Sequence, residues 1–212
     1  MTATQERSAP TRRSRRAARG SAGSRTLSAI AGLALVAAAV AVQTLGLTPN
    51  DRGAPISTTG SLGEDVDTGR FTVRVDKVAA ARTVETLSAE PVATEQLFVV
   101  VTASATSAKE PLKLGQPRLI TPDGVAYEAT DKIPATNTLA NPWVQPGFWV
   151  SGFFVFEVPA SAVQGSKVAF GLPKSALAEP FEPEVEVDLG LDEAKAAQLT
   201  SAPQDVYPLK KS

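Results

Sequence analysis

Residues 27–47 (LSAIAGLALVAAAVAVQTLGL) form an unbroken apolar run without a charged side chain, and from about residue 61 the pattern gives way to two-residue alternation. The run holds 21 residues. At about 1.5 Å of helical rise each they reach roughly 31 Å, the thickness of a bilayer's hydrocarbon core, so the run predicts a transmembrane helix. The next stretch, 48–60 (TPNDRGAPISTTG), is rich in residues that punctuate regular structure, and predicts a linker.

The alternation predicts strands. In 70–78 (RFTVRVDKV), Phe71, Val73 and Val75 share one face while Thr72, Arg74 and Asp76 share the other, as in a half-buried strand. The run 96–105 (QLFVVVTASA) is apolar on both faces, which predicts a central strand covered on both sides. Between them, 79–94 reads as an extended continuation followed by a loop. In 117–129 (PRLITPDGVAYEA), Pro122-Asp123-Gly124 predicts a hairpin turn: Pro presets φ, Asp bonds nearby backbone and Gly accepts a positive φ. Its flanking strands carry Leu119, Ile120, Val125 and Tyr127. A polar loop over 131–141 leads to a turn at Gln145-Pro146-Gly147 and a long core strand over 150–158. One helical turn at 160–163, short strands over 165–171 and 181–189, a brief helix after Gly190 and a loose tail complete the pattern. About seven strands without long helices predict an all-β fold, an immunoglobulin-like antiparallel β-sandwich preceded by one N-terminal transmembrane helix. The expected division is a disordered basic cytoplasmic tail (1–26), a signal-anchor helix (27–47), a linker (48–60), the sandwich (61–190) and a C-terminal tail (191–212).

Charge supplies the topology. Seven arginines precede the apolar run against the single acid Glu6, leaving fourteen basic and twenty-one acidic residues for the rest of the chain. Lys and Arg beside a span hold that end in the cytoplasm, so the expectation is a single-pass membrane protein with an extracytoplasmic C-terminal domain. Two other readings of the run exist. One is a cleaved signal, with Ala39-Val40-Ala41 as the small-x-small site and Arg12-Arg13 or Arg15-Arg16 as a twin-arginine region. The other is a buried soluble helix. The run is longer than an ordinary signal core, which favours the anchor. The arginines read as topological rather than as a nucleic-acid patch.

The 212-residue chain has neither cysteine nor histidine. Disulfides, thiolate metal sites, a lipidated cysteine and both the Ser-His-Asp and Cys-His arrangements are therefore excluded. Any catalysis would rest on carboxylates, Lys or Tyr. Asp123, Glu128, Asp131 and Glu157 are the candidates for an envelope-acting hydrolase, whose two carboxyl groups would have to face each other across a cleft. The alternating acids Glu184, Glu186 and Asp188 lack the spaced oxygen pattern of a calcium loop and read as a solvated strand face that protects a sheet edge.

Six of the chain's twelve Phe, Trp and Tyr residues fall within 143–156: Trp143, Phe148, Trp149, Phe153, Phe154 and Phe156. In a domain otherwise poor in aromatics this cluster reads first as core and second as a platform for carbohydrate or peptide. Trp143, Phe148 and Trp149 border the turn and are the candidate partner-binding residues. No residue is assigned a catalytic, cofactor-binding or metal-binding role.

The order of these motifs resembles the telokin-like, immunoglobulin-like domain of unknown function found on bacterial lipoproteins and single-pass membrane proteins. The resemblance lies in the strand 71–78, in 96–107 (QLFVVVTASATS), in 119–127 (LITPDGVAY) and in 145–159 (QPGFWVSGFFVFEVP), and covers about residues 63–189. Two features depart from that family: a membrane run stands where a lipidated cysteine is frequent, and Ser107 occupies the position of a usual Asn. The resemblance implies an extracellular sandwich and supplies neither a mechanism nor a site residue, since that family has no assigned activity. The functional expectation is a membrane-anchored binding or scaffolding module without cofactor, whose partner is another extracytoplasmic protein or envelope component and not nucleic acid.

Overall fold

The computed structural model describes residues 30, 32–37, 54–86, 89–174 and 181–209. The predicted cytoplasmic tail (1–26), the signal-peptidase motif at 39–41, most of the predicted span and positions 48–53 of the linker lie outside the described residues. The chain divides into two compact units, Met1–Thr48 and Pro49–Ser212. In the first, residues 30 and 32–37 are helical, and Ile30, Leu33, Leu35 and Val36 are all exposed. Among the described residues no helix is long and apolar enough to cross a membrane.

The second unit is an all-β sandwich. Its strands are β1 (Ile56–Ser61), β2 (Val66–Asp67), β3 (Phe71–Thr86), β4 (Ala89–Ser107), β5 (Arg118–Ile120), β6 (Ala126–Glu128), β7 (Val150–Val158), β8 (Lys167–Phe170), β9 (Pro183–Asp188) and β10 (Gln204–Leu209), with α1 (Glu193–Ser201) before the last. One sheet has the order β1-β9-β8-β5-β6; the other has β10-β3-β4-β7, with β2 also on β3. Their facing sides share one core, in which Val73, Val75, Val99, Val101 and Phe156 of the second sheet meet Leu119, Val168, Val185 and Val187 of the first. Phe154 of β7 and Phe170 of β8 pack tilted across it, ring centroids 6.0 Å apart, within the range of favourable edge-to-face pairs.

The central strand is as the apolar pattern predicts. β4 lies between β3 and β7. Val99, Val101 and Ala103 face the shared core, while Phe98 and Val100 enter a second cluster on the outer side with Ile133, Phe153, Val155 and Leu209. The hairpin turn also forms as predicted: Gly124 takes φ +86° and donates to the Thr121 carbonyl at 2.9 Å. The strand over 150–158 and the turn at Ala160–Ala162 stand where the pattern places them.

Several expectations are corrected. The loop expected within 79–94 is instead the end of β3 and the start of β4, two strands paired from Phe71↔Ser107 to Thr86↔Ala89. Their register slips at three places. At the first, Asp76 is an extra residue in β3, so Val73 and Val75 face the core before the bulge and Val78 and Ala80 after it. The sandwich is not wholly antiparallel, because β1 runs parallel to β9 and β10 parallel to β3. Both are end strands laid on a sheet edge by chain arriving from afar, so no hairpin sets their direction. β1 occupies residues assigned mainly to the linker and β10 residues of the expected tail, giving ten strands rather than seven among the described residues, while α1 is the brief helix expected after Gly190. The side chain of Asp192 caps α1 by accepting from the Lys195 amide at 2.9 Å.

Candidate partner-binding site

The aromatic cluster divides at Val150. Strand alternation sends Phe154 and Phe156 into the shared core and Phe153 into the outer cluster, all buried. The three residues before the strand stay in water: Trp143 is 59% exposed, Phe148 68% and Trp149 44%. The core reading therefore holds for Phe153, Phe154 and Phe156, while the residues that border the turn are exposed, as expected of candidate partner-binding residues. The turn is the reason. Gly147 takes φ +76° and the Phe148 amide donates to the Gln145 carbonyl at 3.3 Å, reversing the chain before it joins the sheet.

The three do not form one platform. Trp149 takes the guanidinium of Arg74 over its ring, 5.0 Å from the centroid. Trp143 takes the ammonium of Lys113 at 5.6 Å, on a different segment. Phe148 has no ring partner among the described residues.

Trp149 is the better-built of the three. Arg74 donates from Nε to Asp76 at 2.7 Å and from Nη1 to Asp65 at 3.0 Å. The second oxygen of Asp76 accepts from Ser104 Oγ at 2.6 Å, and Ser104 Oγ lies 2.8 Å from Ser151 Oγ. The register explains the assembly: Arg74 pairs with Ser104 and Ser104 with Ser151, so β3, β4 and β7 lay these side chains in one row on the outer face. Two-residue alternation puts the Asp76 carboxylate on the same face as Arg74, and the bulge there shifts the alternation of β3 only for the residues that follow. The two acids raise the affinity of Arg74 for its proton, Asp76 through its hydrogen bond most of all. Asp65 and Asp76 directly, and Ser104 and Ser151 through Asp76, thus fix the cation that stacks on a partly exposed indole, which gives the pair a defined geometry. Only Trp149 and the alternation of Arg74 and Asp76 were visible in the sequence; Asp65, Ser104 and Ser151 join through strand order alone.

The candidate acids for hydrolysis go to different places. Asp123 accepts from Thr121 in the hairpin turn. Asp131 is exposed in the following loop. Glu157, on β7, accepts from Lys132 at 2.7 Å and from Thr94, and the lysine above all holds its carboxyl below the usual range. Glu128 lines a cavity of about 840 Å³ at one end of the first sheet, where it pairs with Lys174 at 3.3 Å.

Of the acids of β9, Asp188 is exposed as expected, but Glu184 and Glu186 are not a solvated edge. β9 is interior to its sheet, between β1 and β8. Glu184 is buried and paired with Arg118, and Glu186 accepts from Lys167 at 2.5 Å, a bond that lowers its pKa. The alternation identified the face; the cations that cover it come from β5 and β8. Among the described residues no cluster of three or more acids is arranged to hold a metal ion.

No family model matches the chain, and no curated protein matches it. Solved structures with a similar chain path include the yjhA protein from Bacillus subtilis, at 10% identity and a TM-score of 0.46 over 60% of this chain and 99% of that one. The secreted protein MPT63 from Mycobacterium tuberculosis is similar at 18% identity and a TM-score of 0.43, over 64% and 98% of the two chains. An uncharacterised β-sandwich protein from Clostridium difficile 630 is similar at 12% identity and a TM-score of 0.40, over 64% and 95%.

Proposed function

We propose that the chain is an extracytoplasmic binding module, held at the membrane by residues 27–47 and without catalytic activity, which engages its partner through the Trp149–Arg74 surface. The observation that carries the reading is a half-exposed indole beneath a guanidinium that two carboxylates hold in place. A rigid aromatic surface of this kind binds at low entropic cost, because its side chains are already ordered. The topology rests on the arginines before the apolar run. Exposed Ile30, Leu33, Leu35 and Val36 add support, since four uncovered apolar side chains on a helical segment suit lipid better than water. The engagement of Glu157 by Lys132 and of Glu128 by Lys174 supports the non-catalytic reading. We read the sandwich as immunoglobulin-like and the telokin-like domains as its kin, on the order of the motifs in β3, β4, the β5–β6 hairpin and β7.

The test is co-sedimentation of the full-length protein with isolated cell-wall material, alongside protease treatment of wall-less cells. The expected result is retention of the native protein and its loss in Trp149→Ala and Arg74→Ala, each with an unchanged melting temperature. External protease should remove the sandwich and leave a membrane-bound fragment containing residues 27–47. Equal retention of both variants overturns the binding surface, a protected sandwich overturns the topology, and release of soluble wall fragments by the native protein overturns the absence of catalysis.

A further inference from the structure

The cavity of about 840 Å³ is separate from the Trp149 surface and has its own chemistry. Leu114, Leu172 and Pro183 contribute apolar wall, and Ala169 of β8 and Glu184 of β9 contribute floor. Its size falls in the range of pockets that enclose a small ligand, about 300–1,000 Å³. Gly115 makes one wall close-set: its amide donates to the Gly171 carbonyl at 2.9 Å, and a Cβ there would lie 2.6 Å from the Leu172 carbonyl oxygen.

Six charged side chains line the cavity, three of each sign. Four are accounted for as pairs, Arg118 with Glu184 and Lys174 with Glu128. The two left over are of opposite sign. Among the described residues Lys113 has the Trp143 ring as its contact, Glu182 has no side-chain partner, and neither forms an ion pair. Arg118 spends one donor on Glu184, leaving further N–H groups of its guanidinium at the cavity. An uncharged hydrocarbon would leave both free charges and these donors unanswered at the wall of an apolar space. A simple anion would answer Lys113 and Arg118 but be repelled by Glu182. A ligand with one charge of each sign and an apolar body answers all of them.

We infer that this cavity is a second binding site, taking a short apolar peptide with both termini free, its carboxylate toward Lys113 and Arg118 and its ammonium toward Glu182. The inference does not depend on the Trp149 surface.

The test uses the full-length protein in detergent with Trp149→Phe as background, leaving Trp143, one of only two tryptophans, as the reporter beside Lys113. The probe is trileucine. Saturable binding is expected from the change in Trp143 emission, weakened about tenfold or more by N-acetylation or by C-amidation of the probe, since each removes one charge-assisted contact. Lys113→Glu and Glu182→Lys should each weaken binding comparably, and the double charge swap should recover part of the loss, because a zwitterion can bind reversed while Arg118 keeps its sign. Calorimetric titration of the same samples checks that the emission reports binding. Absence of saturable binding up to about 1 mM, a ceiling equivalent to weak small-ligand affinity, overturns the inference. Equal binding of the doubly blocked peptide, or of dodecanol, also overturns it, because the cavity would then select only for apolar character.

Discussion

Arg118 on β5 reaches over β8 to donate from Nη2 to Oε2 of Glu184 on β9, a carboxylate only 7% exposed. Ala169 is the residue paired with Arg118 in the intervening strand, and it is buried on the same face. Ser57 of β1 donates to the other oxygen of Glu184 at 3.3 Å, so four adjacent strands meet at one ionic contact. Removing the cation strands a buried negative charge, whereas replacing both partners removes the cost along with the gain.

Arg118→Met is therefore expected to destabilise the sandwich by about 2–3 kcal/mol, less than a wholly buried pair because the arginine side chain is one-third exposed. Arg118→Met combined with Glu184→Gln should recover at least half of that loss. Chemical denaturation of the two variants measures both; equal destabilisation would mean that the contact acts through packing rather than charge.

Gly152 keeps the edge of the second sheet covered. β7 is an edge strand of nine residues, mostly apolar, and such an edge invites pairing with another chain. Here the loop after β6 lies along it: the Thr130 amide donates to the Val155 carbonyl at 2.7 Å and the Leu139 amide to the Phe153 carbonyl at 3.2 Å. A Cβ at position 152 would sit 3.0 Å from Leu139 Cβ and 3.2 Å from its Cα. Gly152→Ala should displace that loop, cost about 1–3 kcal/mol and release an aggregating edge. Differential scanning calorimetry with light scattering should show a lower melting temperature and earlier scattering than the native chain; an unchanged scattering onset would place the protection elsewhere.

What the sequence showed and what it hid have one physical origin. Side-chain alternation is local, so it located the buried faces of β3 and β4 and the acid face of β9 correctly. Whether a face is wet depends on neighbours that the chain brings from elsewhere. Glu184 and Glu186 looked solvated because their cations, Arg118 and Lys167, lie 66 and 19 residues away in sequence. The row Arg74–Ser104–Ser151 needed the strand order, whereas the placement of Asp76 on the face of Arg74 follows from the alternation itself. Pairings of β1 and β10 were hidden for the same reason, since parallel edge strands carry no turn signal.

Ser107 lies at the end of β4 with its hydroxyl buried and without a hydrogen-bond partner among the described residues. A buried hydroxyl that bonds nothing costs its desolvation free energy and returns none of it. Ser107→Ala is expected to stabilise the sandwich by about 1 kcal/mol, raising the denaturation midpoint without changing the slope. A lower midpoint would indicate a water bound to that hydroxyl in solution.

Acid should weaken the fold through two carboxylates on opposite sheets. The Lys132 hydrogen bond first, then Thr94, lowers the pKa of Glu157; the Lys167 hydrogen bond lowers that of Glu186. A group whose pKa is lowered on folding binds fewer protons folded than unfolded, so stability rises with pH between the two values. The contribution is fully present above the unfolded carboxylate pKa, about 4.3, and is lost as pH falls through the lower folded value. With no histidine in the chain, side chains of ordinary pKa contribute no such slope between about pH 6 and 8. Urea melts should therefore give a plateau in that range and a decline below about pH 4. Glu157→Gln and Glu186→Gln should each lower the plateau and make the acid decline shallower, because a neutral amide has no proton to gain. An undiminished acid slope in both variants would assign the effect to other carboxylates.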